Sequence, residues 1–184
     1  MKSLDNLLNY SEKDFDDVYV EIKKITTKVK PYKIGADDKH KNWNTWTLVE
    51  DTFYGDLEYY KKREWNAMAI RLFPKLVSFI ESLPIQGIGR VIIMSIPAGK
   101  KVPIHIDEQW RVEPFPEDYE GLLNIQFGPK KKMFMYDAIK KQKTYFSGRI
   151  NLVDVSKLHG IDMSNETTYS VRVDAKLKKD FLPS

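Results

Sequence analysis

Residues 89–107 read GRVIIMSIPAGKKVPIHID, and this stretch decides the fold. Val91 to Ile96 is an apolar run rich in β-branched residues, Pro97-Ala98-Gly99 is a turn signal, and Val102 to Ile106 is a second extended segment. The same grammar continues downstream. LLNIQF (122–127), KMFMYD (132–137), KTYF (143–146), RINLVDV (149–155) and TYSVRVDAKL (168–177) are short, turn-bounded and β-rich. With Thr45 to Val49 they predict about eight strands. Upstream, DLEYYKKREWNAMAIRLFPKLVSFIESL (56–83) places Leu57, Tyr60, Trp65, Met68, Leu72, Leu76, Phe79 and Ile80 at mostly three- and four-residue intervals. That spacing predicts a long helix, kinked or restarted at Pro74 because proline removes an N–H and clashes with the preceding turn. Phe15, Val18, Ile22 and Ile25 predict an earlier helix. Helices followed by many short strands define an α+β chain that is mostly β, an antiparallel sandwich or barrel with helices on one face.

Composition narrows the field. The chain has 184 residues, 42% hydrophobic and 30% charged, which suits one folded domain over 1–184. Within it, a helix-rich part (1–88) is expected to lie on a β core (89–177). There is no cysteine, which excludes disulfides, thiolate nucleophiles, zinc ribbons and iron–sulfur ligation, so any metal must rest on His, Asp, Glu or backbone oxygen. The longest strongly apolar stretch, Val91 to Ala98, is far below the ~20 residues that span a bilayer, and no signal-peptide pattern follows Met1. A cytoplasmic, non-membrane protein is the expectation.

The net charge of +4 is unevenly distributed. Lys130, Lys131, Lys132, Lys140, Lys141 and Lys143 flank the apolar Met133 to Tyr136, the pattern that guards a hairpin against edge pairing. Residues 108–121 (EQWRVEPFPEDYEG) carry five acids against one base. That stretch follows a candidate ligand, and its prolines make it a rim or lid rather than a tight turn. Such a lid favours a cationic or neutral substrate over a nucleic acid. Trp43, Trp46, Tyr54, Tyr59, Tyr60 and Trp65 are expected in the helix–sheet core, with Trp43 and Trp46 also placed to line a cleft mouth.

Of three histidines, His40 sits among Asp37, Asp38, Lys39 and Lys41 and reads as a polar loop residue. His105 is different. On a strand, residues two apart share a face, so His105 and Asp107 converge while Ile104 and Ile106 pack on the other side. His159 follows 54 residues later, a gap holding enough short strands to circle a small barrel and return beside His105. Two imidazoles and a carboxylate form the donor set of non-haem Fe(II) sites. Arg172 stands thirteen residues beyond His159, on the same strand face as Ser170. An arginine in an apolar strand requires an anionic partner, supplied by a bound dicarboxylate or by an acid such as Asp162 or Glu166.

The order His105-x-Asp107, His159, Arg172 on a helix-then-strands chain resembles the Fe(II)/2-oxoglutarate-dependent oxygenases with a double-stranded β-helix (jelly-roll) core. Residues 96–107, with their proline–glycine turn into the His105 strand, look most like the aspartyl/asparaginyl β-hydroxylase-like branch, as does Gly148 to Asp154 before His159. The resemblance spans roughly 89–177. It implies that His105, Asp107 and His159 bind Fe(II) and do the catalytic work. It also implies that Arg172 with Ser170 grips the distal carboxylate of 2-oxoglutarate, and that Asn124 contacts the same co-substrate. The implied activity is a dioxygenase that uses O2 to hydroxylate an unidentified substrate, with a peptidyl side chain as one candidate, and releases succinate and CO2. The interval from His159 to Arg172 is longer than in that pattern, and LLNIQF stands where better-known members carry an arginine-rich strand. Two alternatives stay open: a cupin-like binding module without turnover, and a metal-dependent cupin enzyme that does not use 2-oxoglutarate.

Overall fold

The structure is a computed structural model that describes residues 2–5, 8–31, 42–49, 64–107, 120–178 and 181. His40, Tyr54, Tyr59, Tyr60 and most of the acidic stretch 108–121 fall outside the described residues. In chain order the elements are β1 (Lys2–Ser3), α1 (Glu12–Thr26), β2 (Asn44–Val49), α2 (Ala67–Leu72), α3 (Pro74–Glu81), β3 (Ile85–Ile96), β4 (Val102–His105), β5 (Glu120–Phe127), β6 (Met133–Asp137), β7 (Gln142–Tyr145), β8 (Ile150–Val153), β9 (His159–Ile161) and β10 (Thr168–Leu177). They form a six-stranded sheet, ordered β1-β8-β5-β10-β3-β2, and a four-stranded sheet, ordered β4-β9-β6-β7. Every pairing is antiparallel. Two facing antiparallel sheets with helices on one outer face are the mostly β, jelly-roll architecture expected from the sequence.

Alternation along the large sheet builds two different interiors. Val91, Ile93, Leu123, Ile125, Phe127, Ile150, Val171 and Val173 point outward and join Phe15, Val18 and Ile22 of α1 and Leu76, Phe79 and Ile80 of α3 in one core. The α1 helix starts at Ser11, which forms a capping box with Asp14, and its buried residues Phe15, Val18, Ile22 and Thr26 follow the helical period. Leu122, Val153 and Ile96 point the other way and meet Val102, Met133 and Ile161 of the small sheet in a second core. The space between the sheets is therefore apolar on one side and, as shown below, polar on the other.

The restart expected at Pro74 is present, while other details depart from the sequence reading. The helix expected through Pro74 is two helices in its described part, broken at Phe73 (φ −126°, ψ 49°), with Pro74 opening α3. A proline restricts the residue before it away from helical geometry and is itself well placed in a first turn. The β3 strand begins at Ile85, four residues before the expected boundary. Ten strands are present among the described residues, because β1 and β9, two and three residues long, are too short to show alternation. Ile104 is not packed but 41% exposed, since β4 is the edge strand of the small sheet.

Phe127 has no exposed surface and meets Phe15 and Phe79 at ring-centroid distances of 5.9 and 5.5 Å, locking α1 and α3 to the sheet. Phe127→Ala should lower the unfolding free energy by about 3–5 kcal/mol in chemical denaturation. A loss below about 1 kcal/mol would show that the helices are not held through this contact.

Candidate metal centre

Strand pairing, not sequence proximity, joins the two histidines. In the β4–β9 ladder His105 lies directly opposite His159, with ring centroids 4.3 Å apart. Gly160 allows this closeness: a Cβ there would stand 2.8 Å from the Phe134 ring and 3.1 Å from the Val102 carbonyl oxygen. On the other side, Gly99 (φ +74°) completes the turn into β4 in a conformation that strains other residues. Asp107 lies just past the end of β4, where its backbone N–H donates to the Val155 carbonyl at 3.2 Å. The strand is thereby tied to the β8–β9 connection.

His105, Asp107 and His159 each bring a ligand atom within 4.8 Å of the others. The Nε2 atoms of His105 and His159 lie 3.3 and 3.6 Å from Asp107 Oδ1. Each Nδ1 is 2.8 Å from a backbone carbonyl two residues earlier, Pro103 for His105 and Lys157 for His159. Such a bond makes Nδ1 the donor to the backbone and aims Nε2 at the centre, where it would turn its lone pair to a bound metal on losing its proton. Burial pushes the His159 imidazolium below its ordinary pKa, partly opposed by the Lys157 carbonyl and the Asp107 charge, which favours the neutral ring a metal needs. Burial would raise the Asp107 carboxyl, but its hydrogen bond to His105 and the Arg172 charge hold it well below the usual carboxylate range. Two imidazoles in their neutral form and one ionised carboxylate would fit a divalent transition metal.

Arg172 and Ser170 share the inner face of β10, yet they have different partners. Arg172 donates from Nη1 to Asp107 Oδ2 at 2.7 Å and from Nε to Asp174 Oδ1 at 3.1 Å. The acids beside it are thus neither Asp162 nor Glu166; Asp162 instead binds Lys143 and Tyr145 on the outer surface. Ser170 bonds to the amine of Lys131. Lys131 is the residue that sequence reasoning missed, having been grouped with its exposed neighbours Lys130 and Lys132. It is 2% exposed, and its position two residues before Met133, which packs in the inner core, was the available signal.

A buried polar cluster results. Cross-strand register sets Ser170 beside Gln126 and Arg172 beside Asn124 in adjacent rows on the inner face. Gln126 accepts from the Lys131 backbone N–H at 3.0 Å through Oε1, while its Nε2, like Asn124 Oδ1, is buried without a hydrogen-bond partner among the described residues. No carboxylate among the described residues pairs with Lys131, and burial pushes its amine down to about 7. An amine, an amide donor and a hydroxyl gathered in a buried cluster are groups that suit an anion. Trp43 flanks the centre, its ring 6.4 Å from that of His105 and nearly parallel to it, whereas Trp46 belongs to the helix–sheet core.

The fold is a jelly roll, and His105, Asp107 and His159 form a donor set that could hold a metal ion. Among solved structures, a prolyl hydroxylase from Trichoplax adhaerens, in complex with a hypoxia inducible factor oxygen degradation domain peptide fragment, matches with a TM-score of 0.55 at 10% identity, over 96% of this chain and 83% of that one. A 2OG-Fe(II) oxygenase family oxidoreductase from Burkholderia pseudomallei matches with a TM-score of 0.49 at 9% identity, over 94% and 93%. A viral collagen prolyl hydroxylase from Paramecium Bursaria Chlorella virus-1 matches with a TM-score of 0.45 at 14% identity, over 97% and 96%. No protein-family model matches the chain, and no curated protein matches it in sequence. Among the described residues no helix is long and apolar enough to cross a membrane.

The buried amine predicts a pH effect of definite sign. The unfolded chain keeps the Lys131 proton to about pH 10.4, while the folded chain releases it at about 7. Between these values the unfolded state binds more protons, so this residue makes the ligand-free protein more stable as pH rises. Thermal unfolding of wild type and Lys131→Met between pH 7 and 9 should show a rise that the variant lacks; parallel curves would mean that the amine is not desolvated.

Proposed function

We propose that the chain is an Fe(II)- and 2-oxoglutarate-dependent dioxygenase that hydroxylates its substrate. The reading rests above all on two imidazole Nε2 atoms, each oriented by a backbone carbonyl, converging with Asp107 Oδ1. His105, Asp107 and His159 would hold the iron. Bound Fe(II), with 2-oxoglutarate and O2, supplies the oxidising power to hydroxylate a C–H bond and yields succinate and CO2. The protein's part is to orient and to exclude water. Lys131, with Ser170 and the free amide of Gln126, is the anchor we assign to the distal carboxylate, and Asn124 lines the adjacent row. A carboxylate arriving there restores the lysine charge that burial has suppressed. Arg172 then serves the metal side of the site by holding Asp107 Oδ2.

A peptidyl side chain is the substrate class we favour. The Trichoplax neighbour carries a peptide, and the partly buried Trp43 offers an aromatic wall beside His105. Within the class, the turn at 97–99 leading into His105 supports an aspartyl/asparaginyl β-hydroxylase-like placement. A second reading, a metal-dependent cupin enzyme that does not use 2-oxoglutarate, is favoured by one observation: Asp107 and Asp174 already satisfy the need of Arg172 for an anion.

Anaerobic titration with Fe(II) and then 2-oxoglutarate separates the two readings through the visible metal-to-ligand charge-transfer band. Wild type should develop the band, His159→Ala should lose it, and Lys131→Met should need at least about tenfold more 2-oxoglutarate while still binding Fe(II). Folded, iron-loaded wild type with no band would remove 2-oxoglutarate and leave the second reading. A band whose 2-oxoglutarate dependence is unchanged in Lys131→Met would move the anchor elsewhere.

A further inference from the structure

Four charged groups of alternating sign form a line that runs from Asp107, just past β4 of the small sheet, to Arg172, Asp174 and Arg90 on the inner face of the large sheet. Asp107 Oδ2 is 2.7 Å from Arg172 Nη1, Arg172 Nε is 3.1 Å from Asp174 Oδ1, and Arg90 Nε is 3.4 Å from Asp174 Oδ2. Asp174 is fully buried and Arg90 is 8% exposed. Burying such groups costs several kcal/mol per ion unless charge and geometry are matched, so a fold that retains them constrains them tightly. The backbone contributes to the arrangement. Between the pairs Val173–Val91 and Ala175–Ile88, β3 sets two residues, Gly89 and Arg90, against the single Asp174. This is a β-bulge, a device that re-aims a side chain, and it lies where Arg90 turns inward onto Asp174.

We propose that Asp174, backed by Arg90, is a positioning residue for the metal-binding carboxylate. The inference rests on the metal reading of His105, Asp107 and His159. Arg172 uses one edge of its guanidinium for Asp107 and the other for Asp174, so the plane of the fork is fixed from both sides. With Oδ2 held, Asp107 presents Oδ1 to the point that both Nε2 atoms face. Asp174 has an electrostatic role as well. A guanidinium beside a divalent cation repels it, and the buried carboxylate compensates that charge without competing for the metal. Removing Asp174 leaves Arg172 both less constrained and uncompensated, and each effect weakens metal binding.

The test is titration of the metal-free protein with Co(II), followed by its visible d–d absorption, in wild type and Asp174→Asn. Circular dichroism confirms that each variant is folded at the temperature used. Loss of such an outer partner typically costs 10- to 100-fold in metal affinity. Asp174→Asn should therefore bind Co(II) at least about tenfold more weakly, with an altered band envelope. A purely structural role would lower the melting temperature and leave the spectrum unchanged. Should the single variant fail to fold, the pair Arg90→Gln with Asp174→Asn removes one charge of each sign and is held to the same criteria. Affinity within about twofold of wild type and an unchanged spectrum in a folded variant would overturn the proposal. No Co(II) binding by wild type would instead overturn the metal reading on which it rests.

Discussion

The candidate site depends on one backbone pairing, the short antiparallel ladder between β4 and β9. It sets His105 opposite His159 and ties their strands to the rest of the small sheet. Cross-strand neighbours in antiparallel pairs have Cβ atoms about 5 Å apart, close enough for two imidazoles to share one ion. The ladder is short, and its pairing is irregular between Val102 and His105, so its geometry needs support from outside. That support comes from the pairing of Gly160 with Phe134 in the β6–β9 ladder, the Asp107–Val155 hydrogen bond and the core around Val102, Met133 and Ile161.

A second constraint is electrostatic. The large sheet is apolar toward the helices and charged or amide-bearing over much of its opposite face, where Asn124, Gln126, Asn151, Ser170, Arg172 and Asp174 lie along three neighbouring strands. Polar groups in a low-dielectric space are stable only when paired, and here the pairing is divided. On one side Arg172, Asp174 and Arg90 pair among themselves and with Asp107. On the other, among the described residues, the Lys131 amine has a hydroxyl but no counter-charge and Gln126 Nε2 has no hydrogen-bond partner. The first side is suited to holding a fixed ligand carboxylate, the second to receiving an anion that comes and goes.

Much of this was legible in the sequence, for identifiable reasons. Period-two alternation brought His105 toward Asp107 and Ser170 onto the face of Arg172, and long strands such as β3 and β10 carried an unambiguous apolar pattern. Period and breaker together marked α3, with Pro74 at its start. Other features were not readable. β9 is three residues long, so the pairing that unites the histidines left no periodic trace. Lys131 was hidden in a run of three lysines, where composition suggests solvent and only its phase relative to Met133 points inward. Arg172 was expected to meet a bound dicarboxylate, or else an acid such as Asp162 or Glu166, whereas Asp107 reaches it from the opposite sheet and Asp174 from its own strand.

The central claim is that His105, Asp107 and His159 hold a metal beside an anion anchored on Lys131. A crystal of the protein grown anaerobically with Mn(II) and 2-oxoglutarate, examined by anomalous difference maps at the manganese edge, tests it most directly. The account predicts one strong peak bonded to both histidine Nε2 atoms and to an oxygen of Asp107, with the distal carboxylate of 2-oxoglutarate against Lys131 and Ser170. A peak elsewhere, or none with the three side chains ordered, would contradict it.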